Sequence, residues 1–373
     1  MFFDLLLKIM PLGGLRPGGF LYYVYHHKKL ERRFKMHTVE ELEAKLSEPS
    51  QALISEIAQL EGDIMILGVG GKMGPSLAKL AKNAIDKAKV DKKVIGVSRF
   101  SNKELQRELE DYGIQTINAD LLEDDQLQSL PEVKNVIFMA GHKFGTTGNE
   151  HFTWAMNAYL PGQVAKKFKN SRIVVFSSGN VYPLTPVFMG GASEEHPTGP
   201  VGEYAQSVLG RERVFEYFSR KYNIPMLIMR LNYAIDLRYG VLHEIATLVK
   251  EQKPIDLRMG HVNVIWQGDA NEIALRSLRF CEVPPKILNV TGPETISIRW
   301  LAERFGEKFG IRPVFVNEEE DTALLSNASK AHYLFGYPRV SLRQMIEWTA
   351  EWIKSGGVSL GKPTHFQERE GKF

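Results

Sequence analysis

The stretch Asp63-Ile64-Met65-Ile66-Leu67-Gly68-Val69-Gly70-Gly71-Lys72-Met73-Gly74-Pro75 decides how the rest of the chain is read. A short apolar run bounded by glycine suits a strand buried on both faces of a parallel sheet. Glycines at 68, 71 and 74 follow it, and a helical pattern runs from Pro75 to about Lys89. Glycine has no Cβ, so the turn can be tight and a pyrophosphate can approach the backbone. The first amides of the helix add unpaired donors and partial positive charge. The spacing alone is a weak signal, and the strand–turn–helix setting gives it weight. Gly68, Gly71, Lys72, Met73 and Gly74 are therefore candidate cofactor-binding residues.

Outward from this stretch the pattern repeats. Val94–Val97, a segment within 133–140, Arg172–Phe176 and Met226–Arg230 read as further strands, with helical patterns between them. Such alternation predicts an α/β chain: a Rossmann-type doubly wound parallel sheet, with a smaller C-terminal substrate-binding α/β region. The expected partition is an N-terminal extension over 1–36, poorly ordered, and a helical lead-in over 37–62. A dinucleotide-binding domain follows over 63–235. Residues 236–373 are then mainly substrate-binding, with a contribution from 183–202. Thr38 with Glu41 reads as a capping box, and Pro49 breaks the lead-in into two short helices.

The second strand ends in Ser98-Arg99, where an acid would bond the adenosine ribose hydroxyls. A guanidinium with no carboxylate accommodates a 2′-phosphate instead, so NADP is expected, with NAD the alternative.

Hydrophobic residues at 43% and charged residues at 24% are ordinary globular values. The net charge of +3 misleads. Residues 1–36 hold seven Lys or Arg against Asp4 and Glu31, which leaves the remainder with 40 basic and 42 acidic residues. Nothing in that balance calls for nucleic acid. Asp4, Lys8, Pro11, Arg16 and Pro17 interrupt the N-terminal apolar stretch, so neither a membrane span nor a signal peptide is expected there. Met36 offers a later start. The single cysteine, Cys281, cannot form an internal disulfide, which fits a reducing compartment, and cytoplasmic placement is expected. No cysteine–histidine cluster has zinc spacing, so no metal is expected.

From Ile64 to about Lys354 the chain resembles the extended short-chain dehydrogenase/reductases, the NAD-dependent epimerase/dehydratase family. The matches recur in the family's order. Gly68-x-x-Gly71-x-x-Gly74 resembles the cofactor loop, and Asp120-Leu121 the acid bordering the adenine. Ala140-Gly141 resembles the small pair after the fourth strand, and Asn157 the structural asparagine of the next helix. Ser177-Ser178-Gly179-Asn180-Val181-Tyr182 resembles the active-site serine strand, and Tyr204-Ala-Gln-Ser207 the start of the Tyr-x-x-x-Lys motif. Arg230-Leu-Asn232, Asn289–Gly292 and Leu334–Tyr337 resemble later landmarks. The resemblance implies Ser178 and Tyr204 as catalytic residues, with Tyr204 also at the cofactor, and a homodimer.

One departure matters: the motif's lysine is Val208. A phenol with pKa near 10 needs help to act as a base near neutrality, and an ammonium one helical turn away supplies it. Valine cannot. Lys143, in Ala140-Gly141-His142-Lys143-Phe144, resembles a lysine near the sugar site of UDP-galactose 4-epimerases and is the candidate replacement. Arg211 is the other candidate, unless it is engaged with Glu203 or Glu212. Gly179-Asn180 stand where dehydratases carry Asp-Glu, which disfavours elimination of water. The expected function is an NAD(P)-dependent epimerase or oxidoreductase acting on a sugar or sugar-acid derivative, a small molecule that a sugar nucleotide, a sugar acid and another polyol all fit. The alternative is a catalytically impaired NAD(P)-binding protein with a sensor or regulatory role. Arg238, Arg258 and His261 are candidate contacts for an anionic substrate group.

Overall fold

The computed structural model describes residues 36–372; the expectations for residues 1–35 concern a stretch outside these. Seven strands form the central sheet: β1 (Ile64–Leu67), β2 (Val94–Ser98), β3 (Gln115–Asn118), β4 (Asn135–Phe138), β5 (Arg172–Ser178), β6 (Met226–Leu231) and β7 (Lys286–Val290). Their order is β7-β6-β5-β4-β1-β2-β3 and every neighbouring pair is parallel. The order reverses between β1 and β4. Ligands of such sheets bind beyond the strands' carboxyl ends at that point.

Side chains of successive strand residues face opposite sides, so β1 feeds two cores. Ile64 and Ile66 pack with Leu77, Leu80, Ala274 and Leu278 on one face. Met65 and Leu67 pack with Val97, Leu160, Val164 and Phe215 on the other. A third core lies among the helices Val241–Lys250, Ile298–Phe309 and Leu342–Lys354, built on Leu242, Ile245, Leu301, Phe305, Trp348 and Trp352.

The expected doubly wound sheet is present, with differences in detail. β3 was not legible because Gln115-Thr-Ile-Asn118 is a polar, half-exposed edge strand. β7 lies beyond residue 235, so the chain returns to the sheet after entering the third core. Met36 is 7% exposed and belongs to that core, although the sequence reading put it in the extension. The lead-in forms two helices, Val39–Leu46 and Gln51–Gln59; Thr38 and Glu41 make both halves of the capping box. Cys281 turns its thiol toward the Ile173 and Ser277 carbonyls, and burial pushes its pKa up to about 12. No helix among the described residues is long and apolar enough to cross a membrane.

From Ser355 to Lys372 the described residues form neither helix nor strand. This strap is tied down along its length. Trp352 Nε1 donates to Val358 O at 3.0 Å, and Leu360 N to Arg238 O at 3.0 Å. Thr364 N donates to Glu244 Oε2 at 3.0 Å, and Phe366 is fully buried. Arg369 holds the Thr322 carbonyl and hydroxyl at 2.9 and 2.7 Å. Gly371 lies so close to Val201 and Gly202 that a Cβ on Gly202 would overlap its carbonyl.

Candidate active site

The glycine loop at the end of β1 has the shape of a cradle. Gly68 has φ +95°, and a Cβ there would lie 2.7 Å from Ala140 N. A Cβ on Gly74 would overlap the Val69 carbonyl. The helix Gly74–Ala88 begins with Pro75 in its first turn and no side-chain cap. Its leading amides are thus left for an anion, and the residues present fit a dinucleotide. A Cβ on Gly70 would lie 2.5 Å from Ser98 Oγ, so Ser98 borders the loop. Arg99 is 63% exposed, with its guanidinium 3.8 Å from Asp120. Asp120 also accepts from Leu122 N at 3.0 Å, and Leu121 is buried.

Ala140 and Gly141 follow β4. A Cβ on Gly141 would lie 2.5 Å from Arg211 Nη2, so this position has no room for a side chain. Asn157 sits in a π-helical turn, Ala155–Tyr159, that aims its amide at the strand end. Its Oδ1 accepts from His142 N at 2.9 Å and Arg211 Nη2 at 2.7 Å; its Nδ2 donates to His142 O at 2.8 Å.

The sequence offered Glu203 or Glu212 as partners for Arg211. Instead its guanidinium donates to Phe176 O at 2.7 Å and to Asn157. Glu212 is taken by Arg230, at 2.6 Å in a buried pair. Around that pair, Ser177 Oγ donates to Glu212, and Arg230 Nη1 to Tyr182 Oη at 2.7 Å. Tyr182 in turn donates to Asn289 Oδ1 at 2.9 Å. This buried network lies directly behind Ser178.

Ser178 closes β5, and its Oγ donates to Asn180 Oδ1 at 2.9 Å. Tyr204 stands in the first turn of the helix Gly202–Tyr222. Burial pushes its phenol up, while the Arg211 charge and a hydrogen bond with Ser178 pull it down. Lys143 Nζ is 5.3 Å from the centre of the Tyr204 ring and 5.4 Å from that of Phe144. Burial lowers the Lys143 ammonium to about 8. Val208 is buried with Val181, Tyr182 and Ala192, as an apolar side chain at that position must be.

Lys72 divides its roles. Its backbone belongs to the glycine loop, but its ammonium reaches across to Ala234 O at 3.0 Å and lies 4.1 Å over the Tyr239 ring. Burial lowers it to about 8. A cavity of about 220 Å³ gathers Lys72, Lys143, Ser178, Tyr204, Tyr239 and Thr364. Sequence reasoning missed Tyr239 and Thr364, since neither lies in a motif. Arg238 does not line this cavity: it pairs with Glu43 at 2.7 Å and Asp236 at 2.9 Å. Arg258 pairs with Asp256 at 2.6 Å, and His261 lies in a short strand against Ser297. Among the described residues no three His, Cys, Asp or Glu side chains are grouped to hold a metal.

Comparison with known proteins finds relatives of this fold. Residues 64–235 match the NAD dependent epimerase/dehydratase family. A putative UDP-glucose 4-epimerase of Methanocaldococcus jannaschii is 25% identical over 207 residues, covering 52% of this chain and 66% of the relative, just short of two thirds of its length. Among solved structures, Pal from Bacillus thuringiensis superposes with a TM-score of 0.65 at 18% identity, covering 79% of this chain and 99% of its own. A variant of UDP-glucuronic acid 4-epimerase from Bacillus cereus, in complex with a fluorinated UDP-glucuronic acid and NAD, gives 0.65 at 19% identity, covering 78% and 99%. The fold is that of a Rossmann-type α/β protein. The stretch that resembles the NAD dependent epimerase/dehydratase family is residues 64–235, from β1 through β6.

Proposed function

We propose that this protein is an NAD(P)-dependent epimerase or oxidoreductase acting on a sugar or sugar-acid derivative. The observation that carries the reading is that Ser178 at the carboxyl end of β5, Tyr204 and Lys143 line one cavity beside the glycine cradle, with the Lys143 ammonium 5.3 Å from the Tyr204 ring centre. Gly68, Gly71, Lys72, Met73 and Gly74 hold the pyrophosphate, Ser98 and Arg99 the adenosine ribose, and Asp120 and Leu121 the adenine. Ala140, Gly141 and Tyr204 border the nicotinamide side. When bound, the oxidised nicotinamide supplies the acceptor for a hydride from the carbinol carbon. Tyr204 takes the hydroxyl proton as the carbonyl forms, and returns it in the reverse direction. Ser178 holds the reacting oxygen. Gly179 and Asn180 offer no acid–base pair for eliminating water, and Asn180 is occupied by Ser178.

Val208 favours the second reading, a dinucleotide-binding protein impaired in turnover, because no ammonium follows Tyr204 by one turn. Absorbance of reduced nicotinamide, read while a panel of sugars and sugar acids is offered, separates the two. Growth of the band with any member, or interconversion of epimers of a member with the band unchanged, supports the enzyme, and binding with neither across the panel supports the sensor.

On cofactor choice, NADP should bind more tightly than NAD, and Arg99→Ala should remove roughly tenfold of the preference, the worth of a charged hydrogen bond. Calorimetry with both dinucleotides decides, and equal affinities in the parent protein would sink the role of Arg99.

Lys143→Met should move the limb on which activity rises with pH to higher pH, since the phenolate loses a nearby cation. The same change should stabilise the fold. Burial lowers this ammonium from 10.5 to about 8, so the unfolded chain binds more protons between those values and folding is favoured as pH rises through them. The variant should therefore melt higher than the parent at pH 7. Slower turnover with no gain in melting temperature would contradict the burial argument.

A homodimer is expected through the helix Gly202–Tyr222 and the helical stretch that precedes β5. Trp154 (39% exposed), Tyr159 (59%) and Tyr217 (56%) stand on these two elements. Light scattering that gives a monomer at micromolar concentration would remove this assignment.

A further inference from the structure

Lys72 starts in the glycine loop and ends on a separate element. Its Nζ donates to Ala234 O at 3.0 Å and lies 4.1 Å from the centre of the Tyr239 ring. The loop follows β1, whereas Ala234 and Tyr239 follow β6, three places along the sheet. The far bank is a stiff anchorage. Ala234 pairs with Ile265 in a short parallel strand. Asp236 N donates to Tyr239 O at 3.0 Å and closes the turn between them. Inside that turn Asp236 accepts from Arg238 N at 2.7 Å and from Arg238 Nη2 at 2.9 Å, and Arg238 pairs with Glu43 at 2.7 Å. Gly240 follows with φ +121°, where a Cβ would lie 2.5 Å from Ile235 Cγ2. The near bank is equally fixed, since a Cβ on Gly68 or Gly74 would meet backbone. The soft part of this connection is the lysine stem, which can turn about its side-chain torsions while both backbones stay in place.

Lys72, Met73, Ala234 and Tyr239 line the same cavity as Ser178 and Tyr204. The glycine loop proposed for the pyrophosphate and the pair proposed for the nicotinamide end therefore share a space that Lys72 borders. Resting on that dinucleotide site, we propose that the Lys72 side chain is a clasp for the cofactor. It swings aside to admit the dinucleotide, then refastens the glycine loop to Ala234 and Tyr239 and slows release. Two contacts of different kinds fasten it: a hydrogen bond from a charged donor, and a cation resting on an aromatic face. Burial lowers the ammonium to about 8, which leaves it mostly protonated at pH 7.

The test is the rate at which the full chain releases NADPH and NADH at pH 7. Fluorescence of the reduced nicotinamide reports release after mixing with excess oxidised dinucleotide, and association rates are measured in parallel. Lys72→Met keeps most of the side-chain length and removes its charge. Release should become roughly tenfold faster, while association changes by less than about twofold. Lys72→Arg should restore slow release to within about threefold of the parent, because a cation again spans the gap. Tyr239→Leu should speed release by ~2- to 5-fold and Tyr239→Phe should not, because the ring face rather than the hydroxyl meets the ammonium. The double variant Lys72→Met with Tyr239→Leu should release no faster than Lys72→Met alone, since both act through one contact. If Lys72→Met does not fold, Tyr239→Leu against Tyr239→Phe decides. Parent-like release from Lys72→Met, a loss of affinity carried by slower association, effects of the two substitutions that multiply, or Tyr239→Phe as fast as Tyr239→Leu would each overturn the clasp and leave the dinucleotide site standing. A parent protein that binds neither dinucleotide would overturn both.

Discussion

Tyr204→Phe is expected to lower turnover by ~100- to 10,000-fold, the usual worth of a positioned proton-transfer group, with dinucleotide affinity retained. Three tyrosines line the cavity, and the structure separates them. Burial and neighbouring acidic groups push Tyr239 up to about 12 and Tyr233 higher still. Tyr204 is raised by burial too, but it alone of the three has both the Arg211 charge and the Ser178 hydroxyl working in the opposite direction. The variant removes one oxygen and leaves the ring packed against Val208, so a folding defect is not expected. The measurement is single-turnover reduction of the dinucleotide by an identified substrate, alongside calorimetric affinity for the cofactor. Parent-like turnover in the variant would mean that Tyr239 or another group carries the proton, and the catalytic assignment would fail.

The second large effect is on stability. Glu212→Ala should cost ~3–5 kcal/mol, because it strands the Arg230 guanidinium in the interior. The side chains of this pair are 5% and 2% exposed, and Ser177, Tyr182 and Asn289 are tied to it in series. Together they join β5, β6, β7 and the helix that carries Tyr204. A fall in melting temperature of roughly 5–15 °C should follow. The double variant Glu212→Leu with Arg230→Met should recover much of the loss, since no charge is then left unpaired. A single variant as stable as the parent would show that the network contributes nothing net.

The parts of the site that lie at strand ends were legible in the sequence. Gly68, Gly74, Ala140, Ser178 and Tyr204 occur where a parallel sheet presents its carboxyl ends, so motif order and topology carry the same information. Lys143 was placed near Tyr204 on a short likeness, and the structure brings it within 5.3 Å of the ring centre. The Lys72 side chain was not legible: its loop position says where the backbone lies, not that the ammonium crosses to Ala234. Thr364 and Tyr239 carried no signal, because their roles depend on which irregular segments meet across the cleft. β3 escaped for a different reason. A polar edge strand pays no penalty for lacking an apolar run, so its periodicity is absent. Arg238 and Arg258 were read as substrate contacts from charge alone, and local carboxylates claim both.

Cys281 bears on how movement of the strap could be watched. Its thiol is held protonated at neutral pH, and the thiolate is the species that reacts with alkylating labels. It is the sole cysteine in the sequence, so the parent protein should give little background in maleimide chemistry. A cysteine introduced at the exposed Lys362 would then take a fluorophore or spin label selectively. Such a probe would report whether the C-terminal segment lifts when cofactor and substrate enter.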